Sequence, residues 1–290
     1  MDYVRLTKPG SVGLLLLTAL AGMTAVGSGL PSLSLVVATL AGGALAAGGS
    51  NALNCYLDRD LDRLMPRTAN RPLPSGRLAP LKAAAFGILL CLLSFVLLAA
   101  TVNLLAALLA MAGMIYYVVV YTLWLKRRSP WNVVVGGGAG GLPLLVGSAA
   151  ATGEISPWAL ILGAVIFLWT PPHFWSLALL RRDEYGRAGL PMMPVVRGSL
   201  ETRRQILLYS MFLVGLSLLV PVMGFTGSGP LFVAAILGTV MLMLALRLLR
   251  HESPRAARQL YRYSVLYLAL LLSTLILDRA GGLPALLGTS

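Results

Sequence analysis

A chain of 290 residues with 58% hydrophobic and only 11% charged residues excludes a water-soluble domain, whose solvated surface carries about a quarter charged residues. Its net charge of +13 would suit a nucleic-acid partner, but the basic residues sit in short loops between apolar runs, a pattern of membrane topology and not of nucleic-acid binding. Cys55 and Cys91 fall in or beside apolar segments, without the spacing of a zinc site or a disulfide frame.

Nine apolar runs follow in chain order: residues 12–30, 33–54, 83–100, 104–125, 133–151, 158–180, 206–225, 231–246 and 263–277. Most approach the ~20 residues that cross a hydrocarbon core of about 30 Å. The last two are short and would rely on Lys or Arg snorkelling at their ends. Helix is the expected conformation, because each backbone amide in lipid must be satisfied within its own segment. The expectation is therefore an all-α polytopic membrane protein: nine transmembrane helices around a central cavity open to the cytoplasmic side, forming one domain over residues 1–290. Glycine pairs such as Gly42-Gly43 and Gly48-Gly49 suit close helix contacts. The same reading covers residues 136–141, which no strand precedes and no Lys-Ser/Thr follows, so they are not a phosphate loop. The start of the chain lacks an Arg- and Ser-rich transit stretch, and its first run is followed by further spans, unlike a cleaved signal peptide. A bacterial or archaeal plasma (inner) membrane is the expected location.

The loops alternate sharply. Residues 31–32, 101–103, 152–157 and 226–229 are short and nearly uncharged, whereas 59–82, 126–128, 181–204 and 247–262, with Arg5 and Lys8, contain every Lys and Arg except Arg279. The positive-inside rule places the N-terminus and the charged loops in the cytoplasm, and nine spans then put Asp278 and Arg279 outside. Spans four apart share an orientation, which suggests duplicated four-helix halves, although the halves show little sequence similarity.

The strongest chemical signal follows the second run. Asn54, Asp58 and Asp62 recur every four residues, so they stack on one helical face with a drift of about 40° per step. Carboxylates at membrane depth persist only when paired or bound to a cation. Mg2+ takes hard oxygens, commonly one or two carboxylates plus substrate phosphates, so the stripe reads as half of a Mg2+–diphosphate clamp. A solvated helix end would instead pair these acids with Arg59, Arg63 and Arg67. Asp60 points away from the stripe and reads as an arginine partner. Pro66 should end the helix, and Arg67, Arg71 and Arg77 then form a basic, turn-rich loop whose guanidinium forks suit a diphosphate.

The Asn-x-x-x-Asp-x-x-x-Asp stripe resembles the first aspartate motif of the intramembrane aromatic prenyltransferase superfamily, the ubiquinone-biosynthesis type. Further stretches of likeness run along the whole chain: 6–10, 54–70, Tyr121-Thr122 with Lys126-Arg127, 169–175 and 185–194. The Trp169-Thr170-Pro171-Pro172-His173 block is similar to the haem-modifying branch. That resemblance implies a farnesyl group moved from farnesyl diphosphate to a vinyl group of haem B, with Mg2+ and added water, giving haem O. It also implies substrate contacts from Arg67, Arg71, Tyr121, Lys126, His173, Arg181, Glu184 and Tyr185, a lipid surrounding, and a haem A synthase or terminal oxidase as assembly partner. The superfamily's second Asp-x-x-x-Asp motif is replaced here by Arg181-Arg182-Asp183-Glu184-Tyr185, which leaves Glu184 or Asp183 as a candidate ligand for a second metal. Tyr121 and Lys126 stand five apart, and that spacing does not share an α-helical face.

His173 lies within a span, where a polar side chain is functional by default. Pro171-Pro172 should break the helix beside it and free carbonyls into a cavity. A haem contact, through iron or a propionate, is one reading; a hydrogen bond to a neighbouring helix is the other. Trp169, Phe174 and Trp175 would line the farnesyl chain or simply pack. His251, in a basic loop, reads as solvated. Two other functions stay open: a sister enzyme prenylating a quinone precursor or another ring, and a transporter using the acids as an ion site. The second would need polar residues near the middle of several spans, whereas these acids sit at span ends.

Overall fold

The computed structural model describes residues 1–25 and 31–281, and every regular element among them is helical. In chain order these are α1 (Asp2–Leu6), α2 (Pro9–Thr24), α3 (Leu33–Leu57), α4 (Arg59–Leu64), α5 (Pro80–Thr101), α6 (Leu104–Ile115), a π-helix (Tyr116–Leu125), α7 (Asn132–Gly136), α8 (Gly138–Thr152), α9 (Pro157–Leu180), α10 (Arg182–Arg187), α11 (Met193–Val196), α12 (Gly198–Val222), α13 (Ser228–Arg250) and α14 (Pro254–Arg279). With α6 and the π-helix counted as one segment, and α7 and α8 as another, eight segments are long and apolar enough to cross a membrane. The first expected span corresponds to α2, a shorter apolar helix of 16 residues. Residues 26–30, the end of that expected run, lie outside the described residues. The chain is a multi-pass, all-α membrane protein.

Span boundaries follow from local chemistry. Ser32, Asn103, Ser156 and Ser253 each accept a backbone N–H from the first helical turn that follows, satisfying a donor that the helix cannot. Pro9, Pro80, Pro157 and Pro254 open their helices, where the missing N–H costs no hydrogen bond. One expectation fails here: α9 runs through Pro171 and Pro172 without a break. The missing proline N–H groups leave the Phe167 and Leu168 carbonyls without their helical donors, a loss that a packed membrane bundle can accommodate; the nearby Thr170 and Ser176 hydroxyls bond the Ile166 and Pro172 carbonyls.

Helix α3 packs on α5, α2 on α8, and α9 against α8, α12 and α14. Because α14 also packs on α2, the first long helix and the last described one meet and close the bundle. Small residues set the closest approaches. A Cβ at Gly147 would fall 2.0 Å from the Ala19 carbonyl oxygen, and one at Gly22 would fall 2.1 Å from that of Leu144. Helices α2 and α8 therefore cross backbone to backbone. Gly136 and Gly137 likewise give room to Tyr121 and Thr170, the close-packing role expected for that glycine run.

Candidate active site

Asp58 joins α3 to α4 with φ −90° and ψ 4°. The Asp58 N–H still reaches the Asn54 carbonyl at 2.9 Å, and the Asp62 N–H reaches that of Asp58 at 2.8 Å, so the four-residue stack survives the join. All three side chains are buried. Asn54 Nδ2 donates to Asp58 Oδ2 at 2.8 Å and to Thr122 Oγ1 at 3.1 Å, while Asn54 Oδ1 accepts from Lys8 Nζ at 2.7 Å. Lys126 Nζ also donates to Asp58 Oδ2. Arg71 Nη1 bonds both oxygens of Asp62, at 3.1 and 2.8 Å. The cations hydrogen-bonded to the stripe are thus Lys8, Arg71 and Lys126, with Arg127 Nη2 4.0 Å from Asp58 Oδ1. Arg59 instead stacks on Tyr56 at 4.6 Å and Arg63 bonds the Pro74 carbonyl, so the simple solvated helix end is not what forms. Asp60, off the stripe, is held bidentately by Arg127 at 2.8 Å twice.

The π-helix corrects the expectation for Tyr121. Lys126 N–H bonds the Tyr121 carbonyl at 2.9 Å, an i→i+5 bond, so residues five apart stack on one face where an α-helix would splay them. Tyr121 and Lys126 therefore stand together, with Tyr117 stacked beneath Tyr121 at 5.6 Å. Thr122 uses its hydroxyl in the same register, donating to the Tyr117 carbonyl at 2.9 Å. Burial, the largest single influence, lowers the Lys126 ammonium pKa, but the Asp58 carboxylate together with Tyr121 and Tyr117 holds the group above the usual lysine value.

A second charged cluster comes from α10 and the preceding loop. Arg181 Nη1 lies 2.7 Å from Glu184 Oε1, and Arg67 Nε lies 4.0 Å from Glu184 Oε2. Met65 and Leu61 pack with Ala188, Leu190 and Met192, and Tyr185 and Val195 lean on that group. The two long loops thereby meet over the same end of the bundle. Asp183 is exposed and takes no part; of the two acids, the cluster uses Glu184.

Beneath the stripe lies a cavity of about 610 Å³. Asn51 lines it one turn before Asn54, and so do Tyr117 and Tyr121, one π-turn before Lys126. Its walls are otherwise mostly apolar residues of α2, α3, α6, α8, α9 and α14, with Trp169, Thr170, His173, Phe174 and Tyr261 together on one side. The His173 ring lies between Trp169, 4.4 Å away at 15°, and Tyr261, 4.8 Å away at 25°. Trp175 is absent from the cavity: it is fully buried against Trp131 and Tyr209, a packing residue.

Sequence reasoning left Lys8 and Thr122 out of the site. Lys8 is the only non-glycine residue with positive φ among those described, at 51°. That left-handed backbone costs roughly 1–2 kcal/mol for an L-residue, and here it precedes Pro9 while the ammonium engages Asn54. A cation at the mouth of the first apolar run was the available signal.

The donor set fits a hard divalent cation. Asp58 Oδ1 and Glu184 Oε2 are buried without a hydrogen-bond partner, and buried carboxylate oxygens left without donors are suited to metal. Among the described residues no three His, Cys, Asp or Glu side chains converge on one point, so phosphate oxygens would have to complete the shell, as is usual for Mg2+.

Comparison with known proteins agrees with this geometry. The sequence matches the UbiA prenyltransferase family over residues 15–288. It is 52% identical over 279 residues to a protoheme IX farnesyltransferase of Roseiflexus castenholzii, covering 96% of this chain and 52% of that protein. It is 49% identical to one of Symbiobacterium thermophilum, covering 96% and 93%. The chain thus spans about half the length of the Roseiflexus relative. In three dimensions it is similar to a digeranylgeranylglyceryl phosphate synthase, with TM-score 0.79, 18% identity, and 97% and 98% coverage. A UbiA homologue from Archaeoglobus fulgidus bound to DMAPP and Mg2+ superposes with TM-score 0.71 at 20% identity, covering 95% and 99%. Sequence and fold agree, and the chain belongs to the UbiA prenyltransferase family.

Proposed function

We propose that this protein transfers the farnesyl group of farnesyl diphosphate to a vinyl group of haem B, with Mg2+ and water addition, to give haem O. The observation that carries the reading is one mostly apolar cavity whose lining residues Asn51, Tyr117 and Tyr121 stand one helical turn from the buried charged stripe. Such a shape takes a long hydrocarbon with an anionic head. The names of relatives about half identical in sequence support haem as the acceptor.

Asn54, Asp58 and Asp62 would hold Mg2+, which supplies positive charge to the departing diphosphate. Lys126, Arg71 and Lys8 stand on the stripe, and Arg67 and Arg181 beside Glu184; their charges stabilise the same leaving group. The allylic carbon bonds to the terminal vinyl carbon of haem B, and the diphosphate leaves with the C–O electron pair. Water then adds its oxygen to the adjacent carbon and loses a proton. Tyr121, Tyr185, Trp169 and Phe174 offer aromatic faces near the path of the cationic carbon, a contact worth up to about 2 kcal/mol when desolvated. The charged loops face the cytoplasm with the N-terminus, in a plasma membrane whose lipid accepts the farnesyl tail. A haem A synthase or terminal oxidase would take the product.

Mass analysis of products from purified protein given haem B, farnesyl diphosphate and Mg2+ tests the reading. The expected product is haem B plus farnesol. Unmodified haem, together with prenylation of a quinone precursor offered in its place, would move the acceptor to the other ring class.

A further inference from the structure

Ser264 of α14 is fully buried and was invisible as a functional residue in the sequence. Three hydrogen bonds converge on it. Its carbonyl accepts from Trp169 Nε1 at 2.6 Å, its hydroxyl donates to the Tyr261 carbonyl at 2.8 Å, and its Oγ lies 2.8 Å from His173 Nδ1. A hydroxyl has one proton to give. The Tyr261 carbonyl can only accept, so the Ser264 proton goes there and Oγ turns its lone pairs toward His173. Nδ1 must then be the donor. The opposite arrangement, with the ring proton on Nε2, would withdraw the Ser264 proton from the Tyr261 carbonyl. With Nδ1 protonated, the neutral ring keeps a free lone pair on Nε2. His173 lines the cavity. The stacking of Trp169 and Tyr261 on the two faces of the ring, with Phe174 edge-on at 5.2 Å, fixes its direction.

We propose that Ser264 is a positioning residue that sets the tautomer of His173, so that Nε2 serves as an axial ligand to the iron of the haem acceptor. The proposal rests on the reading of haem B as that acceptor. Histidines that bind metal commonly donate their other ring N–H to a carbonyl, carboxylate or water, which fixes the tautomer and raises ligand basicity. Here the same work falls to a serine relaying to a backbone carbonyl. Ligation by a histidine would anchor the porphyrin by its iron, with its edge free to meet the allylic carbon.

The test uses the purified full chain titrated with ferric haem B, with metal-free protoporphyrin IX, and with farnesyl diphosphate, for the parent and for Ser264→Ala, Ser264→Thr and His173→Ala. The parent should give a histidine-ligated Soret spectrum. Ser264→Ala should shift that spectrum and weaken haem B binding about 10–100-fold, the usual effect of losing a ligand's outer hydrogen bond. Ser264→Thr, which keeps the hydroxyl, should restore both. Metal-free protoporphyrin IX and farnesyl diphosphate should bind all variants alike, and exogenous imidazole should return the ligated spectrum to His173→Ala. An unchanged haem spectrum in Ser264→Ala overturns the proposal. So does an equal loss of metal-free porphyrin, which would mean that Ser264 only shapes the wall. If the parent binds farnesyl diphosphate but no haem B, the acceptor reading itself falls and this proposal with it.

Discussion

At the scale of the residue, three carboxylates of one short stretch have three different fates. Asp58 is buried with one oxygen on Lys126 and Asn54 and the other without a donor; Asp62 is buried on Arg71; Asp60 is exposed on Arg127. We predict that Asp58→Asn and Asp62→Asn each lower turnover by at least about 10²–10³-fold, the usual effect of removing one stabilising group from a charged transition state. Asp60→Asn should stay within a few-fold, and steady-state rates of the three variants decide it. If Asp60 is the most sensitive, the stripe is misassigned. The hydrogen bond from Arg127 holds the Asp60 carboxyl pKa down at about 2, from an ordinary 3.8. Its folded value is depressed, so whatever that exposed pair contributes to stability is present above about pH 4 and lost as pH falls toward 2. The stripe was legible in sequence because oxygens repeating every four residues at the end of an apolar run are costly to bury unless something cationic meets them. Lys8, Thr122 and Ser264 were not legible. Their partners lie 46, 68 and 91 positions away, and nothing local marks a residue whose role is set by another helix.

At the scale of the element, the apolar runs located the spans but set several starts late: α12 begins at Gly198 and α14 at Pro254, ahead of the expected 206 and 263. The last two spans, expected to be short, are 23 and 26 residues long. Charged first turns hid these starts, and how the helices wind was less legible still. The π-helix left no mark: Tyr116–Leu125 reads as an ordinary apolar run, and only the i→i+5 bonds bring Tyr121 over Lys126. Proline in α9 misled for the opposite reason, since a rule drawn from water-exposed helices weakens inside a packed membrane bundle. The glycines were better guides. Because a Cβ at Gly147 would collide with the backbone of α2, Gly147→Ala should destabilise the protein by about 1–3 kcal/mol through overpacking. Gly215→Ala meets nothing within 4 Å and should unfold like the parent. Thermal unfolding of the two variants in detergent checks this, and equal midpoints would mean that α2 and α8 can part without cost.

At the scale of the molecule, the all-helical class followed from composition, and the count of spans nearly so; the shortness of α2 is the difference. Lys126, Arg71 and the Arg181–Glu184 pair belong to loops that the charge asymmetry placed on one side, and the packing of Met65 with Leu190 and Met192 brings two of those loops together. Orientation then reduces to a single question for the whole charged end. We predict that a reporter inserted between Arg67 and Arg77 reads cytoplasmic and one fused after Ser290 reads periplasmic. Both on one side would break the nine-span topology.

The contact of α14 with α2 bears on the order in which this protein comes into being. Arg279 donates to the Ala25 carbonyl across 254 positions of sequence, and α14 supplies the cavity wall bearing Tyr261, Val265 and Leu268. A chain made from its N-terminus onward can assemble the acidic stripe and the first helix pairs early, from neighbours in sequence. The chamber they serve lacks this wall until α14 is inserted and docks. Synthesis must therefore run past α14 before the cavity is walled, and a chain stalled before α14 would carry the charged stripe with nowhere to lay a hydrocarbon.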